Sequence, residues 1–250
     1  MTVIPLPDTE DTLLGRRVRL KQPAQGYRAA IDPVLLAAAV PAAGSDSVLD
    51  IGCGAGAASL CLAARVPACR ITGIELQPAL VRLAAENAEL NGVAARFTVM
   101  AGDIMRPPPR LAPGSFDHVM ANPPYMETEA GSPSPHPAKA AANFEGAADL
   151  AQWVRLALAM ARGRGSVTFI HRADRLEHIL GLLAGKAGGI VVFPFWPGNG
   201  KPAKRVIVHA RRGIETPTRL LPGMTLHLGD GRYTAVAEAV LRDGAAINFG

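Results

Sequence analysis

The sequence is short of several things, and each shortage removes a class of function. Cysteine occurs three times in 250 residues, at Cys53, Cys61 and Cys69, eight residues apart, with no CxxC pair and no histidines alongside. A metal site is therefore not expected, whereas free thiols in a reducing cytoplasm are. The longest apolar run, around Val34–Ala43, is about ten residues, against roughly 20 needed to cross a bilayer, so no membrane association is expected. The opening residues, MTVIPLPDTEDTLL, are acidic and carry no basic stretch followed by an apolar block, so no secretory signal is expected either. There is no phosphate-loop lysine, no GxGxxG fingerprint, no internal repeat and no convincing catalytic cysteine or Ser-His-Asp set.

What is present is a chain 49% apolar and 19% charged, punctuated by 26 glycines and 21 prolines. That composition suits a globular α/β protein. The net charge of +5 is uneven: residues 150–214 hold 11 Lys and Arg against 2 Asp and Glu, while the rest holds 15 against 19. A basic back half on a slightly acidic remainder implies an oriented face for a polyanion.

Apolar runs and helical stripes alternate from residue 47 to 195. SVLDIGCG (47–54), CRITGIEL (69–76), ARFTVMAGD (95–103), FDHVMA (116–121), GSVTFIHR (165–172) and GIVVFPF (189–195) read as strands, with helices between most of them. KRVIVHARR (204–212) is a seventh strand, joined to the sixth by a loop with no helix, so these two should pair antiparallel at one edge. The alternation predicts a doubly wound, seven-stranded, mostly parallel sheet with helices on both faces and an antiparallel last strand. Before it, residues 1–12 read as a loose tail, RRVRLKQ as a short strand, and 33–40 as a helix with Asp32 as N-cap and Pro33 in its first turn. After it, a hairpin turned at Asp230-Gly231 and a short helix are expected. Residues 1–46 thus form an extension packed on a core of 47–214, and 215–250 complete the same domain.

DIGCGAG sets Gly52, Gly54 and Gly56 between the first core strand and its helix, where a backbone without Cβ lets a ligand approach closely. Glu75, 25 residues after Asp50, ends the second strand and can accept both hydroxyls of a ribose. Asp103 follows the third strand and could accept from an adenine amino group. An acid near each of three strand ends suits a cationic ligand with a ribose and an adenine better than a pyrophosphate. This stretch resembles the Rossmann-like class I methyltransferases, which implies S-adenosylmethionine as cofactor and S-adenosylhomocysteine as product. Cofactor contacts are expected from Asp50, Gly52, Cys53, Gly54, Gly56, Glu75, Leu76, Asp103, Ile104 and Asn122.

Asn122-Pro123-Pro124-Tyr125 ends the fourth strand. Two prolines stop a sheet abruptly, but a turn needs no tyrosine and a core no asparagine. The tetrapeptide resembles the signature of methyltransferases that act on planar, conjugated amino groups: adenine N6, cytosine N4 or glutamine N5. Such an amine is a poor nucleophile, because its lone pair is delocalised. The Asn122 side-chain oxygen and the Pro123 carbonyl can accept its two N–H groups, the prolines fixing that carbonyl in place. Tyr125 offers a stacking face worth about 1–3 kcal/mol per base. His118 reads as packing, and His136 is assigned no role.

LLGRRVRLKQPAQGYRAAIDPVLLAA, followed by such a core, resembles the bacterial tRNA1(Val) adenine-N6-methyltransferase family on Gln22, Gly26, Tyr27, Arg28 and Asp32. The resemblance implies a tRNA substrate, methylated on the adenine beside the anticodon, and a role for Tyr27 and Arg28 at the cofactor mouth or on RNA. Met126 after the tetrapeptide, and the alanine-rich AKAAANFE downstream, depart from the family's pattern. Arg172, Arg175, Trp196, Lys201, Lys204 and Arg205 are the expected RNA contacts; no obligate protein partner is evident. Two alternatives remain at this level: a protein-glutamine N5-methyltransferase, and a non-catalytic RNA-binding protein that holds S-adenosylmethionine.

Overall fold

In the computed structural model, which describes residues 8–25, 28–124 and 149–250, the chain opens with a hairpin. β1 (Asp8–Leu13) pairs antiparallel with β2 (Val18–Pro23), Leu13 opposite Val18. β1 corrects the reading of residues 1–12 as a tail. Asp-Thr-Glu-Asp-Thr has no apolar alternation to announce a strand. Its acids are instead matched from outside, Glu10 by Arg19 at 2.8 Å and Asp11 by Arg28 at 2.5 Å.

α1 (Asp32–Ala39) follows, with Pro33 in its first turn. Asp32 is not its N-cap. That position is held by Ile31, and the Asp32 carboxylate instead accepts from Arg205 Nε at 2.8 Å. An ion pair from a strand 173 residues away has taken the side chain that local sequence assigns to a cap.

The central sheet uses β3 (Ser47–Ile51), β4 (Arg70–Glu75), β5 (Phe97–Ala101), β6 (Phe116–Ala121), β7 (Ala161–Arg172), β8 (Ala187–Gly198) and β9 (Arg205–Arg212). These are the seven strands read from the sequence. Two short strands, β10 (Arg219–Leu220) and β11 (Met224–His227), add to β8 and bring the sheet to nine, in the order β10-β8-β9-β7-β6-β3-β4-β5, with β11 also beside β8. Only β9 runs against its neighbours. The expected hairpin at Asp230-Gly231 is reduced to a single bridge between His227 and Tyr233.

Helices α2 (Ala57–Arg65), α3 (Pro78–Leu90), α4 (Leu150–Met160), α5 (Leu176–Leu183) and α6 (Ala235–Leu241) cover the sheet. Side chains alternate between faces along each strand. Val48, Ile71 and Met120 belong to one buried cluster with α1, α2 and α6, while Leu49, Ile51, Ile74 and Val119 belong to another with α4 and α5. Burying each such side chain is worth about 1.5–3 kcal/mol. Leu14, Val18 and Leu20 of the hairpin, and Ile247 near the end of the chain, join the first cluster. Among the described residues no helix is long and apolar enough to cross a membrane.

The topology then decides where chemistry can sit. The chain runs outward from β3 through β4 to β5, then returns to place β6 on the other side of β3. The gap between β3 and β6 is the switch point at which ligands bind in such sheets. β7 and β8 run the same way, so Ile51, Glu75, Ala101, Ala121, Arg172 and Gly198 all end at one rim of the sheet.

Candidate active site

Past Ile51, Gly52, Gly54 and Gly56 adopt φ of +63°, +57° and +88°, a region that L side chains rarely enter. The three glycines nevertheless do different things. A Cβ on Gly52 would run into the Trp153 indole, and one on Gly56 would lie 2.9 Å from Phe97 Cε1. Those two positions are glycine because protein packs on them. Among the described residues a Cβ on Gly54 would meet nothing within 4 Å. Gly54 is the member of the loop whose bare backbone faces open space.

Glu75 holds that glycine. Its Oε2 accepts the Gly54 N–H at 2.9 Å and its Oε1 the Gln77 N–H at 3.0 Å. Each carboxylate oxygen can accept more than one bond, the chemistry a ribose diol requires of its partner. Asp50 sits deeper, 2% exposed, and accepts from Ser59 Oγ of α2 at 2.7 Å. Burial, assisted by the charge on Glu75, raises its pKa to about 7. It supports the loop from beneath. Cys53 is buried as well, and a Cβ added at Gly73 would lie 2.7 Å from its Sγ. Burial, then Asp50 and Glu75, push its thiol well above the ordinary range, which makes it a poor nucleophile.

Leu76 and Met105 are each 46% exposed beyond the ends of β4 and β5, with Ile104 half-buried beside them. Asp103 spends Oδ1 on the Met105 N–H at 2.8 Å, closing a turn. A carboxylate, an open glycine backbone and an apolar rim lie at neighbouring strand ends. Residues of these types fit a ribose and an adenine.

The register Ile51 to Ala121 puts Gly52 and Asn122 on neighbouring strand ends, though 70 positions separate them in the chain. Asn122 is half-buried, Pro123 buried and Pro124 exposed. Tyr125, Met126, His136, Gly26 and Tyr27 lie outside the described residues. Arg28 is engaged by β1, donating to Thr9 Oγ1 at 2.8 Å and pairing with Asp11. Gln22, buried, accepts the Ala29 N–H at 2.8 Å and donates to Asp11 at 2.8 Å.

The six expected RNA contacts gather at the same rim, where Arg172 opposes Arg205 across β7 and β9. Arg172 pairs there with Asp174, and Arg205 with Asp32. Trp196 donates its indole N–H to the Pro222 carbonyl at 2.9 Å. Arg175, Lys201 and Lys204 lie in the short segments between the strand ends. His118 bridges Ser166 Oγ at 2.8 Å and Asp46 at 3.1 Å within the sheet, a packing role.

Sequence reasoning missed Trp153 and Asn87. Trp153 sits on the apolar face of α4, and nothing in the sequence marks it as the residue that packs on Gly52. Asn87, fully buried in α3, accepts the Lys21 N–H at 2.8 Å and donates to the carbonyls of Lys21 and Ala55, at 2.8 and 2.9 Å. It thereby ties the hairpin to the glycine loop. An amide on the apolar stripe of Leu83, Ala84 and Ala88 was the available signal. Among the described residues no cluster of His, Cys, Asp and Glu is placed to hold a metal ion.

Residues 48–132 match the methyltransferase domain family. A tRNA1(Val) (adenine(37)-N6)-methyltransferase of Aeromonas hydrophila is 30% identical over 205 residues, spanning 81% of this chain and 84% of that protein. The chain belongs to the tRNA1(Val) adenine-N6-methyltransferase family. A release factor glutamine methyltransferase of Geobacter sulfurreducens is 35% identical over 113 residues, covering 44% of this chain and 38% of its own length. Among solved structures, a predicted O-methyltransferase from Agrobacterium tumefaciens superposes with a TM-score of 0.72 at 25% identity, over 86% of this chain and 98% of that one. This family member is a methyltransferase with S-adenosylmethionine as its cofactor, and the strand ends that carry Gly54 and Glu75 are where its fold binds ligands.

Proposed function

We propose that the enzyme methylates the exocyclic N6 amine of an adenine in tRNA, the base beside the anticodon of tRNA(Val). The observation that carries this reading is the juxtaposition of Asn122-Pro123 with the glycine loop across β3 and β6. When bound, S-adenosylmethionine supplies an electrophilic methyl group. The rest falls to the chain. Glu75 holds the ribose hydroxyls, and Gly54 lets the cofactor lie against the backbone. Asn122 Oδ1 and the Pro123 carbonyl accept the two N–H groups of the amine. They turn its lone pair out of conjugation and toward the methyl group. Pro123 is buried and followed by a second proline, so its carbonyl is fixed before the substrate arrives, which is where such acceptors are most effective. Tyr125 stacks on the flipped base. No enzyme nucleophile is required, in keeping with buried thiols at Cys53 and Cys61, the latter pushed by burial to about 12.

The basic rim supports a polynucleotide substrate, and the name of the Aeromonas relative supports adenine as its target. A glutamine side chain offers the same kind of planar amine, and the partial identity to the Geobacter protein favours that as the second reading. Labelled S-adenosylmethionine offered with bulk bacterial tRNA in one tube and release factor in another separates the two. Label in tRNA, mapped to N6-methyladenine, is expected; label in protein alone overturns the reading.

A further inference from the structure

The strands that end at the active-site rim begin at an opposite rim, and that second rim has a basic site of its own. A cavity of about 330 Å³ opens between α4 and α5. Arg155, Lys186 and Arg212 line it beside Leu158 and Leu182, and among the described residues no carboxylate does. Arg212 comes from the end of β9, the one antiparallel strand, which is why its last residues lie beside the start of β7.

Two of the three cations are held by backbone. Arg212 Nη1 donates to the carbonyls of Ala159 and Ala161, at 3.3 and 2.6 Å, at the end of α4. Lys186 Nζ donates to the Leu182 carbonyl at 3.1 Å, at the end of α5. Capping two helix C-termini is a structural role, and it does not exhaust the donors. A guanidinium has five and an ammonium three. Arg155 is exposed on α4. Three positive charges with donors to spare, facing one cavity with no compensating acid among the described residues, favour an anion.

We propose that this cavity binds phosphate groups, and that its occupant is the sugar–phosphate backbone of the polynucleotide substrate, at a distance from the flipped base. This rests on the reading of the substrate as RNA. α5 supplies the path. It starts beside Arg172 and Arg175 at the active-site rim and ends near Lys186 at the other, about 12 Å of helix for its eight residues. An RNA strand leaving the active site along this face therefore passes from one basic cluster to the next.

The test is the double variant Arg155→Ala/Lys186→Ala, which leaves Arg212 to hold its helix end. Removing two phosphate contacts should weaken tRNA binding about ten-fold near 0.1 M salt and flatten the slope of log K against log salt by about 1.4–1.8. Cofactor affinity should stay as in the wild type and the melting temperature should fall only slightly, by the loss of the Lys186 cap; a purely structural role would lower the melting temperature and leave the slope alone. Unchanged tRNA affinity and slope in a variant that still methylates tRNA overturns the site and spares the proposed activity. A wild-type protein that neither binds nor methylates tRNA overturns that activity instead. Inorganic phosphate titrated calorimetrically identifies the other source. Saturable submillimolar binding that the double variant loses, with the tRNA slope unmoved, would make this a site for free phosphate and overturn the polynucleotide assignment.

Discussion

At the active-site rim Asp50 is buried against Ser59, with its pKa raised to about 7. At the opposite rim Asp117 accepts the Ser47 N–H at 2.8 Å and the Ser47 hydroxyl at 2.7 Å and pairs with Arg162 at 2.8 Å. Burial pulls Asp117 upward too, but Ser47 and then Arg162 hold it below the usual carboxylate range. Two aspartates on adjacent strands of one sheet are thus pushed in opposite directions. At the amino ends of β3 and β6 the chain meets its polar groups with its own: Asp117 with Ser47, and His118 with Asp46 and Ser166. At the carboxyl ends a Cβ on Gly54 would meet no described residue within 4 Å, and Leu76 and Met105 are exposed. A parallel sheet with right-handed crossovers forces this division, because every strand-to-helix loop that can approach a ligand falls at the same end.

That division predicts which changes cost turnover and which cost stability. The largest effect is expected from Asn122→Ala: methyl transfer down at least about 100-fold with S-adenosylmethionine affinity retained, the scale of losing one preorganised polar group. Single-turnover rates alongside equilibrium cofactor binding check it, and near-normal transfer would remove the role given to Asn122.

Next, Gly52→Ala should lower stability by about 3 kcal/mol in denaturant melts, because its methyl must enter both a left-handed backbone and the Trp153 ring. Gly54→Ala, with the same sign of φ and an empty surround, should lose only about 1 kcal/mol while weakening cofactor binding more than its small stability loss accounts for. Equal stability losses would show that the loop is uniformly strained rather than divided between packing and binding.

At the far rim, Asp117→Ala should cost about 2 kcal/mol, since it removes the acceptor of the Ser47 N–H and the partner of Arg162. Turnover per folded molecule should not change; a fall in kcat would mean that the two rims are coupled.

The last comparison is the pH dependence. For Asp50, the folded pKa lies above the unfolded one, so its contribution is complete below about pH 4 and is lost as pH rises to about 7. Wild type measured against Asp50→Asn should therefore lose relative stability across that window and level off above it. Asp117 has the opposite sign: wild type measured against Asp117→Asn should lose relative stability only as pH falls below about 4. Parallel curves for the two pairs would show that the acids do not differ as described.

The alternation of strand and helix, the glycine loop, Glu75 at a strand end and the Asn-Pro-Pro stop were all legible, because each is written in neighbouring residues. What was not legible depends on partners remote in the chain. β1 is acidic and unpatterned, and forms only where Arg19 and Arg28 meet it. Asp32 stands one residue inside α1 and meets Arg205 rather than holding the N-cap position. Arg205 in turn looked like a surface cation for RNA, and its charge is matched within the fold. Gly52 looked like ligand space, and Trp153 fills it.

The sequence by itself determined the fold class and the Asn-Pro-Pro stop that ends β6, since backbone propensity is local. Only the tertiary structure decided that Gly54 alone of the three glycines faces open space, and that Asn87 binds the hairpin to the loop. It alone brought Arg155, Lys186 and Arg212 around one cavity. Those outcomes follow from which side chains the crossovers carry to each rim, and residues 57 positions apart, such as Arg155 and Arg212, become neighbours only when the antiparallel strand returns.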